Sequence, residues 1–187
     1  MWWKKQKIIL PSIVLIQGSL QPDGLTDILL AEAVRFLGDY PITAEIVDVR
    51  NRDIDFYDTR KSDEYAPSTT NMIAALDRAA GYVIAMPVYS TTVSGAVKDL
   101  ITFASLSMNG KRACLICVGK GDATYTASVN LVRLLASHGV AVVKPVLRVH
   151  PESFRNNTLF DEQVHAVLKE MLSSLMKQNN ITLRAPG

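Results

Sequence analysis

The sequence predicts one doubly wound α/β domain, a parallel sheet buried between two layers of helices. Three observations predict it. Short runs of consecutive apolar residues, rich in Val and Ile, recur along the chain, as strands covered on both faces require. Between them lie longer segments with apolar residues at helical spacing. The chain has 187 residues, which suits one such domain better than two.

The elements follow in order. "SIVLIQ", Ser12–Gln17, is an apolar run before Gly18 and reads as the first strand. Leu25–Leu37 places Leu25, Ile28, Leu29, Ala33 and Leu37 on one helical face. Thr43–Val49 is the second strand. Ser68–Ala80 reads as a helix with a hydroxyl-rich start, broken by Gly81 before the third strand, Tyr82–Met86. Ser94–Ser105 is a helix that Ser94 caps. Arg112–Val118 is the fourth strand and Thr124–His138 the fourth helix, stopped by Gly139. Val140–Val149 is the fifth strand, and Asp161–Gln178 the last helix, capped by Asp161. Parallel neighbours need right-handed crossovers. Five strands favour the flavodoxin-like order 2-1-3-4-5. No repeat or linker divides the chain, so 1–187 reads as a single domain with 1–11 as an N-terminal extension. Arg50–Pro67 is the longest non-apolar stretch, too rich in aromatics for a plain linker, and is expected to cross near the sheet's carboxyl edge.

Composition narrows the function classes. Lys and Arg number 20 against 18 Asp and Glu, a net charge of +2. Nucleic-acid binding usually wants a clearly basic face, and this balance supplies none. It is also unlike a strongly acidic electron carrier. Cys114 and Cys117 are the only cysteines and offer no disulfide framework. Three residues apart on a strand they face opposite sides, whereas a redox pair wants a helix N-terminus, so both are expected in the core. Pro11 and Ser12 interrupt the apolar residues of the N-terminus, so it is no signal peptide, and no run approaches a membrane span. The expected location is cytoplasmic. Trp2-Trp3 with Lys4-Lys5 reads either as an extension, packed or disordered, or as a contact to a membrane surface or partner subunit. His138 ends a helix, where positive charge suits the dipole. His150 and His165 have no partner at metal-ligand spacing, and no hydrolase or zinc motif is present.

In open α/β sheets ligands bind beyond the carboxyl ends of the strands at the switch point, here between strands one and three. Three loops converge there. In "GSLQPDGLTD" Gly18 permits close backbone approach, Ser19 and Thr26 bring hydroxyls, and the amides before Leu25 leave a helix N-terminus that favours phosphate. It is neither a dinucleotide fingerprint nor a P-loop, and an ordinary turn at Pro22-Asp23-Gly24 fits equally. Asp23 and Asp27 would cap the helix but repel a phosphate. In the second loop Pro87 stiffens the strand exit, Val88 and Tyr89 offer a flat apolar surface, and the amides of Tyr89 to Thr91 are free for a heterocycle. The bland alternative buries Tyr89 in a subunit interface. In "VGKGDATYT" Gly119 and Gly121 let the backbone pass near a planar ligand and Lys120 meets an anion; otherwise the loop is a simple turn.

With these loops in view, the chain resembles the NAD(P)H-dependent FMN reductases of the flavodoxin-like superfamily. It is most similar to the reductase components of two-component alkanesulfonate monooxygenases. The likeness runs from about Ser12 to Ala136 and is most specific in "MPVYSTTVSGAVKDLITF", where Pro87, Tyr89, Gly95, Ala96 and Lys98 match the family pattern. "NGK" at Asn109–Lys111 also fits. The family's aspartate is replaced by Thr102, its loop arginine by Gln21, and a loop serine by Gly24.

The resemblance implies the site by residue. Ser19, Gln21, Gly24 and Thr26 fall where the FMN phosphate is held. Pro87, Val88, Tyr89 and Ser90 fall at the isoalloxazine edge and ribityl chain, and Gly119, Lys120 and Gly121 on the other side of the ring. It implies hydride transfer from NAD(P)H to FMN with no catalytic side-chain acid or base and no metal. Gln21 and Gly24 remove phosphate contacts, so weak FMN affinity is expected, as suits a diffusible flavin passed to a flavin-dependent monooxygenase. The alternatives are an FMN-retaining quinone, azo or metal reductase, an electron carrier, and a relative that binds no flavin. A homodimer or homotetramer is expected through "LITFASLSM", Leu100–Met108, with Lys98 reaching solvent or a neighbouring subunit.

Overall fold

The structure is a computed structural model and describes residues 10–51 and 53–183. Trp2-Trp3, Lys4-Lys5 and most of the expected extension lie outside the described residues. The strands are β1 (Ser12–Gln17), β2 (Thr43–Asp48), β3 (Ala79–Pro87), β4 (Arg112–Val118), β5 (Ala141–Val142) and β6 (Leu147–Val149). They form one parallel sheet of order β2-β1-β3-β4-β5, with β6 also pairing β4. The expected order therefore holds.

Alternate residues of the central strands feed two cores. On one side Ile13, Leu15, Val83, Ala85, Cys114 and Ile116 pack with α1 (Leu25–Leu37) and α6 (Glu162–Gln178). On the other, Val14, Ile16, Ile84, Met86, Leu115 and Cys117 pack with α2 (Pro67–Arg78), α3 (Gly95–Phe103), α4 (Ser105–Met108) and α5 (Gly121–Ser137). Burial on both faces is what the unbroken apolar runs encode. Ser94 accepts the Val97 amide at 3.3 Å and Asp161 accepts those of Gln163 and Val164, so both expected caps are present.

Four boundaries differ from the sequence reading. The fifth strand is two short pieces, because Val143–Val146 leaves the ladder around Pro145, which has no N–H to donate. Gly81 does not break a helix but lies inside β3, which starts at Ala79 and bulges there: Ser12 pairs with Ala79, Ile13 with Gly81. The helix expected over Ser94–Ser105 stops at Phe103 and resumes as α4. The helix after β4 starts at Gly121 rather than Thr124. A hairpin of β7 (Phe154–Arg155) and β8 (Thr158–Leu159) was not anticipated. Asn156 and Asn157 turn it with φ of 48° and 56°, as the favoured two-residue turn requires.

The Arg50–Pro67 segment is tied down as its aromatics suggested. Tyr57 and Tyr65 meet the Phe103 ring edge-on at 5.3 and 4.8 Å, and the Tyr57 amide donates to Asp99 at 3.0 Å. In Leu100–Met108 the apolar residues serve mostly the chain's own core: Leu100, Ile101, Ala104 and Met108 are buried, while Leu106 is 90% exposed. No helix among the described residues is long and apolar enough to cross a membrane.

Cys114 and Cys117 are fully buried in opposite cores, and burial pushes each thiol up to about 12. Only about one thiol in 10⁴ is then ionised at pH 8. Native protein is expected to leave both thiols unmodified by a disulfide reagent over minutes, and denatured protein to release both. Rapid native labelling of either would contradict this packing.

Candidate functional site

The carboxyl ends of β1, β3 and β4 open onto a cleft of about 510 Å³. Nine of the eleven residues expected there line it: Ser19, Gln21, Gly24, Thr26, Pro87, Val88, Ser90, Gly119 and Lys120. Tyr89 and Gly121 do not. Tyr89 is 45% exposed, and Gly121, at φ +56°, turns the chain into α5. Leu25, Thr91, Val118, Ala123 and Pro151 complete the lining. Leu25 and Ala123 belong to the first turns of α1 and α5, which the helix assignments could have supplied. Pro151 follows β6, and nothing in the sequence pointed to it.

The first wall depends on a close approach. Gly18 donates to the Ala85 carbonyl at 2.7 Å, and a Cβ there would stand 2.7 Å from Val97 and 2.8 Å from that carbonyl. Ser94, while capping α3, donates to the Gly18 carbonyl at 3.3 Å. Beyond Gly18, buried Gln17 accepts the Ser19 amide at 3.0 Å and donates to Asp27 at 2.7 Å. Ser19 Oγ accepts the Gln21 amide at 3.1 Å, and Asp27 accepts the Gly24 amide at 2.9 Å.

Asp27 therefore stiffens the loop, joining Gln17, Gly24 and Arg50. Arg50 neutralises it, donating to Asp27 at 2.9 Å, to Asp48 at 2.6 Å and to the Gln21 carbonyl at 3.4 Å. Burial would raise the Asp48 carboxyl, but the hydrogen bonds and charge of Arg50 outweigh it and hold it below its ordinary value. The hydrogen bond that Arg50 donates to Asp48, helped by Asp27, raises Arg50 against the opposing effect of burial.

The second wall corrects one expectation. The Tyr89 amide is not free: it donates to the Thr92 carbonyl at 3.2 Å, and the Thr92 amide returns a bond at 2.9 Å. Ser90 and Thr91 span this tight turn at φ 46° and 61°, a region costly for residues with a side chain and worst for a β-branched one. Their amides have no acceptor among the described residues. Asn130 on α5 donates to the Thr91 carbonyl at 3.2 Å, joining the turn to the third wall. There Gly119 is required by space: a Cβ would lie 2.6 Å from Thr124 Oγ1 and 3.0 Å from Val88.

Two buried hydroxyls have no hydrogen-bond partner, Thr26 Oγ1 and Thr124 Oγ1. A buried hydroxyl without a partner is costly, and such groups concentrate where a ligand belongs. Thr26 stands in the first turn of α1 against the cleft, where the Leu25 and Thr26 amides also lack intrahelical partners. The cleft, floored by the packed pair Val88 and Gly119 and with a phosphate-suited helix end beside it, has the volume and the mixed apolar and polar lining that a flavin nucleotide requires. Among the described residues no group of His, Cys, Asp and Glu could hold a metal ion.

The strain in the turn is measurable. Thr91→Gly is expected to raise stability by about 0.5–1 kcal/mol, the relief of a left-handed β-branched residue less the glycine's extra unfolded-state entropy. Urea denaturation checks it, and a loss of stability would show that the turn is not strained.

Comparison with known proteins converges on the same chemistry. A family profile described as NADPH-dependent FMN reductase matches residues 11–152. An NAD(P)H-dependent FAD/FMN reductase of Geobacillus thermodenitrificans is 27% identical over 143 residues, 75% of this chain and 76% of that one. Among solved structures, the apo form of the NADH:FMN oxidoreductase EMOB shares the fold at a TM-score of 0.75 and 21% identity, covering 94% of this chain and 91% of that one. FerB, an NAD(P)H:(acceptor) oxidoreductase flavoenzyme from Paracoccus denitrificans, does so at 0.75 and 18%, covering 91% and 98%. The profile spans the three walls and the strands that carry them, so the chain belongs to the NADPH-dependent FMN reductase family, an oxidoreductase using FMN and NAD(P)H.

Proposed function

We propose that this reductase takes FMN as a diffusible substrate in the switch-point cleft and supplies reduced flavin to a flavin-dependent monooxygenase. One observation carries the reading: Lys120 is the only charged residue in the cleft lining, and it stands on the third wall rather than in the phosphate loop. Among the described residues, the phosphate end offers the α1 amides and the Thr26 hydroxyl. Arg50, whose guanidinium reaches the Gln21 carbonyl, is held by two carboxylates. Charge-assisted hydrogen bonds are roughly twice as strong as neutral ones, so a site built of neutral donors favours release.

FMN, when bound, supplies the hydride acceptor; the chain supplies position and dipoles. Thr26 and the first-turn amides of α1 hold the phosphate, with Ser19, Gln21 and Gly24 shaping the loop around it. Pro87 and Val88 present an apolar edge, and the Ser90 and Thr91 amides face the polar rim of the ring. Gly119, without a side chain, lets the third wall pack against Val88, and Lys120 with the α5 N-terminus favours negative charge there. The residues lining the cleft include no carboxylate, imidazole or thiol, and no proton transfer is assigned to a side chain.

We also infer a homodimer or homotetramer formed on the α3–α4 side, where Leu106, Phe56 and Leu20 are exposed at 90%, 81% and 56%. Light scattering is expected to report at least twice the mass of one chain; a monomer at micromolar concentration would overturn it.

The deciding assay is oxidation of NADH and NADPH with and without added FMN. The expected outcome is turnover that requires added flavin, by protein that loses flavin on desalting. Stoichiometric FMN surviving gel filtration would instead favour a flavin-retaining reductase, and no turnover with either nucleotide would refute the reading. Thr26→Val separates fold from function. Removing an unpartnered buried hydroxyl is expected to raise Tm slightly while weakening FMN about tenfold by fluorescence titration. Unchanged FMN affinity would remove Thr26 from the site.

A further inference from the structure

We propose that Arg148 and Tyr125 form a second binding site, for a phosphate monoester on the nucleotide that brings the hydride: the 2′-phosphate that distinguishes NADPH from NADH. This rests on the reading of the cleft as a flavin-reductase site and extends it to the choice of reductant.

The guanidinium of Arg148 is exposed yet oriented. Its carbon lies 4.9 Å from the centre of the Tyr125 ring, and its Nε donates to Ser128 Oγ at 2.9 Å. Ser128 is fully buried, and its hydroxyl donates to the Tyr125 carbonyl at 2.7 Å. Stacking and one hydrogen bond from a buried anchor fix the guanidinium plane. With Nε taken, the two Nη groups remain, and they have no acceptor among the described residues. No carboxylate forms an ion pair with Arg148 there, whereas Arg35, Arg50, Arg60 and Arg78 each have one. An oriented guanidinium with its Nη edge open matches the oxygens of a phosphate in bidentate fashion.

The position suits a ligand entering the cleft. Arg148 pairs with Cys117, one residue before the Val149–Val118 pair, and Val118 and Pro151 both line the cleft. Tyr125 lies two residues beyond Ala123, also in the lining, and is 59% exposed. Lys120 stands on the same wall. A dinucleotide reaching inward past Lys120 would leave its adenosine end toward Arg148, where the Tyr125–Arg148 stack presents a flat surface to a purine. The sequence revealed no such reader because one residue comes from mid-strand and the other from a helix 23 positions earlier, and only the fold joins them.

Calorimetric titration of the full chain, without flavin, with 2′,5′-ADP and with 5′-AMP tests this directly, since the two probes differ by the phosphate in question. Wild type is expected to bind 2′,5′-ADP at least about tenfold tighter than 5′-AMP, as one charge-assisted contact provides. Arg148→Met should bring the two affinities to within about twofold of one another, with the circular dichroism spectrum unchanged. Arg148→Lys should restore the preference only in part. Absence of 2′,5′-ADP binding, equal affinity for the probes, or a ratio untouched by Arg148→Met overturns the proposal. In turnover with added FMN, Arg148→Met should lower the ratio of kcat/KM for NADPH to that for NADH about tenfold or more, through the KM for NADPH. Wild type oxidising neither nucleotide would sink the reductase reading and leave the binding result to be judged alone. Wild type oxidising both without preference would sink this inference only.

Discussion

The constraint on which the cleft depends is the contact at Gly18, where β1 leaves the sheet against both β3 and α3. There is no room for a Cβ between Ala85 and Val97, and the backbone of this residue bonds on both sides, its N–H donating to Ala85 and its carbonyl accepting from Ser94. Because Ser94 also caps α3, the first loop, the third strand and the third helix are set at one residue. Widening that junction would separate the phosphate end of the cleft from its ring edge. The depth and width of the site thus follow from a missing methyl group, not from any long-range charge.

Charge plays a supporting part. Asp27, Asp48 and Arg50 spend their electrostatics on one another and on Gln21, fixing the loop and leaving its inner surface neutral. An isolated aspartate in a phosphate loop would oppose an anion. The same residue locked between Gln17 and Arg50 keeps the loop in shape instead. The arginine that braces the wall is held by these pairings, so one network both fixes the loop geometry and occupies its guanidinium.

Much of this was legible in the sequence, and the exceptions have physical causes. The three central strands β1, β3 and β4 were readable because burial on both faces demands consecutive apolar residues. The break in the fifth strand was not, since Val, Lys, Pro and Val read locally as an apolar run and only ladder geometry excludes Pro145. The Asn156-Asn157 pair was a readable hairpin signal that went unused. Nine site residues were recoverable because strand ends and helix starts are local features. The role of Arg50 was not, because its partner Asp27 is 23 residues away. The Tyr89 amide was misjudged for the opposite reason: a two-residue turn closed on itself at Ser90-Thr91, where neither residue is the usual glycine or asparagine. The apolar residues of Leu100–Met108 resembled an interface until the core was seen to consume most of them.

The hydrogen bond from Asn130 to the Thr91 carbonyl has a kinetic consequence. It fastens the turn after β3 to the helix after β4, so the two sides of the ring slot are braced as one body. A slot that is already shaped needs no rearrangement before it admits a planar ligand, so arrival is governed by encounter and departure by the contacts at the phosphate end. On the proposed reading of FMN as a diffusible substrate, neutral donors at that end would keep residence short, and throughput would be set on the side of the site farthest from the chemistry.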